Sequence, residues 1–361
     1  MQTKRNIGID LLKIVSMLMI VTLHMLGHGG VLDNMPPMSR CYQVAWLIEI
    51  ACYGAVNCYA LASGFLTARC NIRKLMELWL QVMFYSLLIT IVMECTVLHG
   101  TISREEWIYS FFPVTSGKNW YVTAYFGMMC LIPMIRLAMD YIDQRIYKYM
   151  LVGIFAIYSV LPTLVSYLLQ GAYYPDPFNV NRGYSSLWLC IMYLFGAYIR
   201  KYFNYHAVKK RLSLSVFGCM VLLTFLSKII MEKVGNTENA NVLVDYTSPT
   251  IVLGSIALLI FFVNIRVDST KLKQVITILS GVTLGVYLIH DNGLIRNEVV
   301  AHLFEDELKN GVYKWALVKL IIVVPAVYVI CSLMDLIRSK LFDCVKRVAA
   351  RFCVEKEECN R

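Results

Sequence analysis

The stretch IGIDLLKIVSMLMIVTLHML, residues 7–26, is long and apolar enough to form a helix that crosses a lipid bilayer. It nevertheless carries three ionisable side chains, Asp10, Lys13 and His24. Each is costly against lipid, on the order of 2.5–3.5 kcal/mol for Asp or Lys at the membrane centre. At about 100° per residue the three share one stripe of the helix, with His24 roughly 16 Å beyond Lys13. This stripe must therefore face the interior of a helix bundle or an aqueous cavity.

The rest of the chain has the composition of a membrane protein. Its 361 residues are 58% hydrophobic and only 16% charged, whereas soluble domains carry roughly 25% charged residues. We predict an all-α, polytopic membrane protein with about ten transmembrane helices, followed by a short basic cytoplasmic tail at 337–361. The apolar stretches of span length lie near 8–28, 44–66, 75–97, 119–138, 149–169, 184–199, 212–231, 247–265, 272–290 and 315–335.

The distribution of Lys and Arg between the connecting segments predicts the orientation. If the N-terminus is cytoplasmic, the inner segments hold 23 of these residues and the outer segments hold 8. Positive charge accumulates on the cytoplasmic side of membrane proteins, so both termini should be cytoplasmic and the protein should be multi-pass in the cell membrane. The net charge of +10 follows from this topology, and no basic and aromatic stripe indicates nucleic acid as a partner.

Two interpretations of the polar stripe remain open at this point. In the first, Lys13 reaches the cytoplasmic headgroups and pairs with Asp10, while His24 bonds a neighbouring helix. In the second, the stripe lines a channel that leads to His24, because a neutral imidazole can take a proton from a hydroxyl near pH 7. His28 lies four residues after His24, but no HEXXH glutamate or further ligand cluster accompanies the pair, so no metal site is predicted.

Four motifs together resemble one known family. Residues 8–24, GIDLLKIVSMLMIVTLH, are similar to the opening signature of the integral-membrane acyltransferase 3 family, a basic residue, ten residues and then histidine. The family more often has Arg where this chain has Lys13, and the Arg-x-Arg pair of many members is replaced here by Arg69, Cys70 and Asn71. The other matching stretches are YALASGFLTARCNIRKL at 59–75, KNWYVTAYFGMMCLIPMI at 118–135 and LSGVTLGVYLIHDNGLI at 279–295.

The resemblance implies a transmembrane acyltransferase domain over residues 1–336 that moves an acetyl group from cytoplasmic acetyl-CoA to a sugar hydroxyl across the membrane. It implies His24 as general base, although an acyl-histidine stays open, with acetyl-CoA as a donor substrate and no bound cofactor. The donor phosphates would bind basic residues, and Asp10 and Glu49 would support the site. The donor-binding residues expected are Lys13, Arg69, Arg73 and Lys74.

Expected contacts with the acceptor lie at the outer ends of the spans. Aromatic residues there ordinarily form an interfacial belt, and a platform that stacks on a sugar is the alternative. Lys228, near the outer end of its span, is expected to reach the headgroups. The candidate acceptor residues are Trp120, Tyr121, Arg182, Tyr287 and His290.

The alternative function is export of a small polar solute or a glycan precursor without acyl transfer. The chain shows no internal repeat of the kind from which many transporters are built, which favours the enzyme. The expected partners are the lipid bilayer, acyl-CoA and an extracytoplasmic polysaccharide or lipid-linked glycan. A second copy of the chain, giving a homodimer, is left open.

Overall fold

The structure is a computed structural model that describes residues 5–169 and 176–359, and all regular structure in that part of the chain is helical. Short π-helical segments continue two of the helices, at Glu94–Leu98 and Ala156–Val160. In chain order the α-helices, α1 to α17, are Ile7–Gly27, Val31–Asn34, Arg40–Cys52, Ala55–Phe65, Ile72–Met93, Arg104–Phe111, Trp120–Tyr141, Gln144–Phe155, Leu161–Leu168, Ser186–Tyr202, Lys210–Lys233, Pro249–Val263, Thr270–Gly281, Thr283–His290, Gly293–Glu298, Glu305–Lys309 and Tyr313–Cys359.

Seven helical stretches of the described chain are long and apolar enough to cross a membrane, which confirms the all-α, multi-pass fold. An eighth results if α13 and α14, bent by 40° at one break, form a single span. The predicted stretches near 184–199 and 247–265 correspond to α10 and α12, which at 17 and 15 residues are shorter than a typical span. The count of ten transmembrane helices and the orientation of the termini therefore stay predictions. The seven stretches are Ile7–Gly27, Arg40–Phe65, Ile72–Leu98, Trp120–Tyr141, Gln144–Leu168, Lys210–Lys233 and Tyr313–Val345.

Helix α1 occupies the centre of the bundle. Asn6 caps its first turn by accepting a hydrogen bond from the backbone N–H of Ile9, at 3.2 Å. The helix packs against α3, α4, α12, α13, α14 and α17, and its side chains Ile9, Leu12 and Val21 are fully buried. Because protein surrounds α1 on several sides, its polar stripe can face other helices rather than lipid, as the sequence predicts.

Two glycines allow α4 and α10 to pack with their backbones in close contact. A Cβ atom on Gly64 would lie 1.9 Å from the carbonyl oxygen of Tyr193, and one on Gly196 would lie 2.1 Å from that of Leu61. Small residues permit such approaches between membrane helices. This contact brings the C-terminal end of α4 beside the C-terminal end of α10, near the beginning of α1.

The last helix continues without a break through the boundary predicted at residue 336. Within it, Arg338 Nε lies 2.6 Å from Asp335 Oδ1, so a buried ion pair spans that position. Tyr85 of α5 also donates its hydroxyl hydrogen to Asp335 Oδ1, at 2.7 Å. The division into a transmembrane domain and a tail therefore remains a prediction from the sequence, with no helix end to mark it.

Candidate functional site

The two histidines of the sequence motifs meet in the structure although 266 residues separate them. His24 Nδ1 of α1 lies 2.9 Å from His290 Nε2 at the end of α14, and His290 Nδ1 lies 2.6 Å from the carbonyl oxygen of Val286. A carbonyl oxygen only accepts, so Nδ1 of a neutral His290 carries the hydrogen and its Nε2 accepts one from His24 Nδ1. His24 Nε2 is then left with a free lone pair, which is the form required of a proton acceptor.

Asp291 lies beside this histidine pair, immediately after α14. Its Oδ1 atom is 3.4 Å from His24 Nδ1, 3.9 Å from His28 Nε2 and 3.9 Å from an Nη atom of Arg296. The oxygen is buried and accepts no hydrogen bond from the described residues. Burial raises the pKa of Asp291 above its ordinary value, and the neighbouring His290, His28 and Arg296 partly oppose this. A carboxylate held here can stabilise positive charge that develops on His24.

Potential ligand atoms of His24, His28 and Asp291 also lie within 4.8 Å of one another. Three protein ligands of these types are common in catalytic metal sites. The sequence indicated no metal because only the two histidines are neighbours in the chain. The absence of a metal site stays a prediction. The hydrogen bond between His24 and His290 gives His24 a role as proton acceptor that needs no ion.

A cavity of about 410 Å³ leads towards the histidine pair along α1. It is bordered on α1 by Lys13 and Ile20, which are roughly 10 Å apart along the helix axis, and His24 follows one turn later. Tyr287 also lines it, and the Tyr287 ring lies 6.4 Å from the His24 ring. The lining residues are Lys13, Met17, Ile20, Tyr59, Ser63, Ala68, Arg69, Lys74, Leu75, Leu78, Tyr121, Val122, Tyr125, Met129, Ser280, Thr283, Leu284 and Tyr287.

The structure brings three of the four predicted donor residues to this cavity. Lys13, Arg69 and Lys74 all line it. Arg73 does not, because its side chain is 82% exposed and lies 3.6 Å from Glu77 on the outer side of α5. The backbone carbonyl of Lys13 accepts a hydrogen bond from the hydroxyl of Tyr59, at 2.7 Å, which fixes this part of α1 against α4.

The two predicted supporting residues lie in different places. Asp10 is buried, and its carboxylate binds Arg5 Nε at 2.5 Å, so it positions Arg5 directly. Glu49 of α3 is also buried, and its Oε2 atom has no hydrogen bond within the described chain. No hydrogen bond joins Glu49 to His24 in that part of the structure. Its support of the site stays a prediction.

The predicted acceptor residues belong to an aromatic cluster at the beginning of α7. The Trp120 ring lies 4.4 Å from the Tyr184 ring and 5.9 Å from the Tyr246 ring. Tyr121 lies 5.8 Å from both Trp120 and Tyr287, so the aromatic contacts continue from Trp120 to the cavity and to His24. Aromatic rings in such positions can stack on the faces of a sugar.

Arg182 lies at the edge of this cluster, in a left-handed backbone conformation with φ of 53°. Its guanidinium Nε donates to Asp245, which is buried and also accepts from the backbone and hydroxyl of Thr247. Burial raises the pKa of Asp245, and Arg182 opposes that shift. The half-exposed guanidinium is therefore held in position by Asp245, the residue before Tyr246.

Sequence reasoning missed several residues of these sites. Asp291 directly follows His290 in the quoted motif, so the signal was available. The aromatic cluster also includes Tyr53, whose ring lies 5.0 Å from the Tyr246 ring. It offered no such signal, because Tyr53, Tyr184 and Tyr246 come from three separate segments. Buried Asn57 joins the segment of Tyr246 to α10, since it donates to the carbonyl of Tyr246 at 2.8 Å and accepts from the indole of Trp188 at 2.9 Å.

Comparison with known proteins agrees with the motifs. A family model described as an acyltransferase domain, Acyl_transf_3, matches residues 6–335, which is nearly the whole chain. No curated protein and no solved structure gives a significant match. The matched region contains the histidine pair, Asp291, the basic residues of the cavity and the aromatic cluster. The chain therefore belongs to the acyltransferase 3 family and carries a membrane acyltransferase domain.

Proposed function

We propose that the protein is a membrane O-acyltransferase that moves an acetyl group from cytoplasmic acetyl-CoA to a hydroxyl of an extracytoplasmic polysaccharide or lipid-linked glycan. The observation that carries the proposal is the free Nε2 of His24, set by the hydrogen bonds of His290, one helical turn beyond Ile20, which lines a cavity with a basic end. A proton acceptor and a cavity that suits an anionic, thioester-bearing donor are what acyl transfer to a hydroxyl requires.

In this reaction His24 Nε2 takes the proton of the acceptor hydroxyl while the hydroxyl oxygen attacks the thioester carbonyl carbon. A new carbon–oxygen bond forms, the carbon–sulfur bond breaks, and the CoA thiolate receives the proton from the His24 imidazolium. Asp291, 3.4 Å from His24 Nδ1, stabilises the imidazolium that exists between the two proton transfers. Atoms and charges balance without a further reactant.

The donor enters at the basic end of the cavity. Lys13, Arg69 and Lys74 offer positive charge to the anionic donor there, and the apolar lining accommodates the thioester arm. Arg73, which lies outside the cavity, contributes at most to the general positive charge of this side of the protein.

The acceptor binds from the opposite side, on the aromatic cluster. Trp120 and Tyr121 stack on the sugar, Arg182 contacts it from the edge, and Tyr287 and His290 border the reacting hydroxyl. The contacts from Trp120 through Tyr121 and Tyr287 to His24 connect this surface with the base.

A covalent route differs from this mechanism by one testable species. If His24 Nε2 itself attacks the thioester, CoA leaves first and an acetyl-histidine transfers its acetyl group to the hydroxyl afterwards. Mixing enzyme and acetyl-CoA without acceptor would then release one equivalent of CoA and add an acetyl mass to the peptide that contains His24. General-base catalysis gives neither.

Export of a polar solute is the second candidate, since Tyr121 both lines the cavity and contacts Trp120 of the aromatic cluster. Measurement of CoA release in sealed vesicles of both orientations, with a surface-glycan extract as acceptor, separates the two functions. We expect release only when acetyl-CoA contacts the cytoplasmic face, a loss of about 10²–10⁴-fold in His24→Ala, and little change in the control His302→Ala. Absence of CoA release, with solute flux that persists in His24→Ala, would support export.

A further inference from the structure

A second cavity, of about 440 Å³, adjoins the donor cavity at the beginning of α1. Lys13 lines both cavities, so the two are neighbours across a single side chain. We call the second cavity the basic basin. It lies where the C-terminal ends of α4 and α10 meet the first turn of α1, and its lining residues are Arg5, Asn6, Asp10, Lys13, Phe65, Leu66, Thr67 and Arg200.

The basin carries more positive than negative charge. Its three cations are Arg5, Lys13 and Arg200, and its one carboxylate, Asp10, binds Arg5. Within the described chain, neither Lys13 nor Arg200 has a carboxylate within 4.0 Å. Two cations without an ion-pair partner in the described chain therefore border one cavity, and such a cavity favours an anionic ligand.

Arg200 is held in place without losing its charge. Its Nη1 atom donates to the hydroxyl of Tyr205 at 2.8 Å, and its guanidinium lies 5.3 Å from the centre of the Phe65 ring. Both partners are neutral. The guanidinium keeps further N–H groups for a ligand, and its planar fork matches the oxygens of a phosphate.

Two other cavities differ from the basin in charge or position. One of about 290 Å³ shares Lys74 with the donor cavity, but its cations Lys74 and Arg338 are accompanied by Glu77 and Asp343. Another, of about 560 Å³, is bordered by Lys209, Lys210 and Arg266 and has no lining residue in common with the donor cavity. Among these three cavities, the basin alone has an excess of positive charge and also shares a lining residue with the donor cavity.

We propose that the basic basin binds the phosphate-bearing nucleotide part of the acyl-CoA donor, with Arg200 and Lys13 as phosphate ligands and Arg5 positioned by Asp10. This inference rests on the proposed function. One donor molecule can place its phosphates in the basin and its thioester arm in the neighbouring cavity, because Lys13 borders both. Asp10 then serves the donor site through Arg5, and Arg200 is a donor-binding residue that the sequence motifs do not include.

The test compares two donors that carry the same thioester. Acetyl-CoA has the phosphates, and acetyl-pantetheine lacks them. In Arg200→Ala we expect the KM for acetyl-CoA to rise about tenfold or more, with kcat unchanged and the KM for acetyl-pantetheine unaltered. Arg200→Lys should recover part of the loss. Lys201→Ala is the matched control, because Lys201 donates to the carbonyl of Met139 and lines neither cavity.

An unchanged KM for acetyl-CoA in Arg200→Ala, or an equal loss with both donors, would overturn the proposal. Binding of radiolabelled CoA to the purified protein, which needs no turnover, separates this failure from that of the proposed function. If wild type binds CoA and Arg200→Ala binds it about tenfold more weakly, the basin stands even where no acetyl transfer is observed. If wild type transfers acetyl and both proteins bind CoA equally, the proposed role of the basin is wrong and the proposed acyltransferase function is unaffected.

Discussion

Two lysines placed within membrane-crossing helices, Lys13 and Lys228, have opposite surroundings. Lys228 is 1% exposed, and its Nζ atom donates to Glu232 at 2.7 Å and to Asn241 at 2.9 Å, beneath the Trp46 ring at 3.6 Å. Lys13 borders two cavities and has no carboxylate within 4.0 Å in the described chain. A buried cation with its own ion-pair partner contributes to the fold, whereas a cation without such a partner at the border of a cavity is available to a ligand.

The largest effect expected from this comparison is on stability, in Lys228→Met. The change leaves Glu232, whose side chain is 12% exposed, without its cation, and removing one partner of a buried pair typically costs about 3–5 kcal/mol. Thermal unfolding of the detergent-solubilised protein should show a large drop for Lys228→Met and little change for the exposed neighbour Lys233→Met. Adding Glu232→Gln to Lys228→Met should recover most of the loss. A Lys228→Met protein that unfolds like wild type would show that the pair does not stabilise the fold.

Asp291 is, like Lys13, a charged group whose surroundings serve chemistry more than stability. Its buried Oδ1 atom accepts no hydrogen bond from the described residues, and burial raises its pKa. Asp291 therefore loses its proton at a lower pH in the unfolded chain than in the native protein. Its contribution to stability falls as the pH rises from the ordinary Asp pKa through the raised native pKa. We expect Asp291→Asn to unfold at no lower a temperature than wild type at pH 7.

The same substitution should lower kcat, because the His24 imidazolium loses its nearest negative charge. We expect a decrease of about thirtyfold, equivalent to about 2 kcal/mol, with little change in the KM for acetyl-CoA. Steady-state CoA release measures both constants, and Glu298→Gln, an exposed carboxylate substitution nearby in the chain, is the control. An unaltered kcat in Asp291→Asn would remove this residue from the proposed mechanism.

Lys13→Met tests the lysine that has no ion-pair partner. Because no carboxylate of the described chain depends on Lys13, its loss should leave the unfolding temperature close to that of wild type. The KM for acetyl-CoA should rise about tenfold while kcat is retained, since a charge-assisted contact to phosphate is removed. A fall in stability without a change in KM would place Lys13 in the same class as Lys228.

The sequence predicted the parts of the site that depend on a single helix. The helical period places Asp10, Lys13 and His24 on one stripe, and the structure keeps that stripe within the bundle. Lys228 was expected to reach the headgroups, which is wrong, because its side chain is buried against Asn241 of the short 3-10 helix Asn239–Asn241 and Trp46 of α3. Such long-range contacts leave no periodic signal. For the same reason the Arg200 side of the basin and the aromatic cluster could not be derived from spacing.

Arg73 provides the smallest expected effect and a direct check on the donor cavity. Sequence alone grouped it with Arg69 and Lys74, but its side chain is 82% exposed and lies beside Glu77, whereas the other two line the cavity. Exposed ion pairs contribute little, with a median of about 0–1 kcal/mol. We therefore expect the KM for acetyl-CoA to change less than twofold in Arg73→Ala and clearly more in Arg69→Ala, measured in the same vesicles. Equal effects of the two changes would mean that general positive charge, rather than the cavity, attracts the donor.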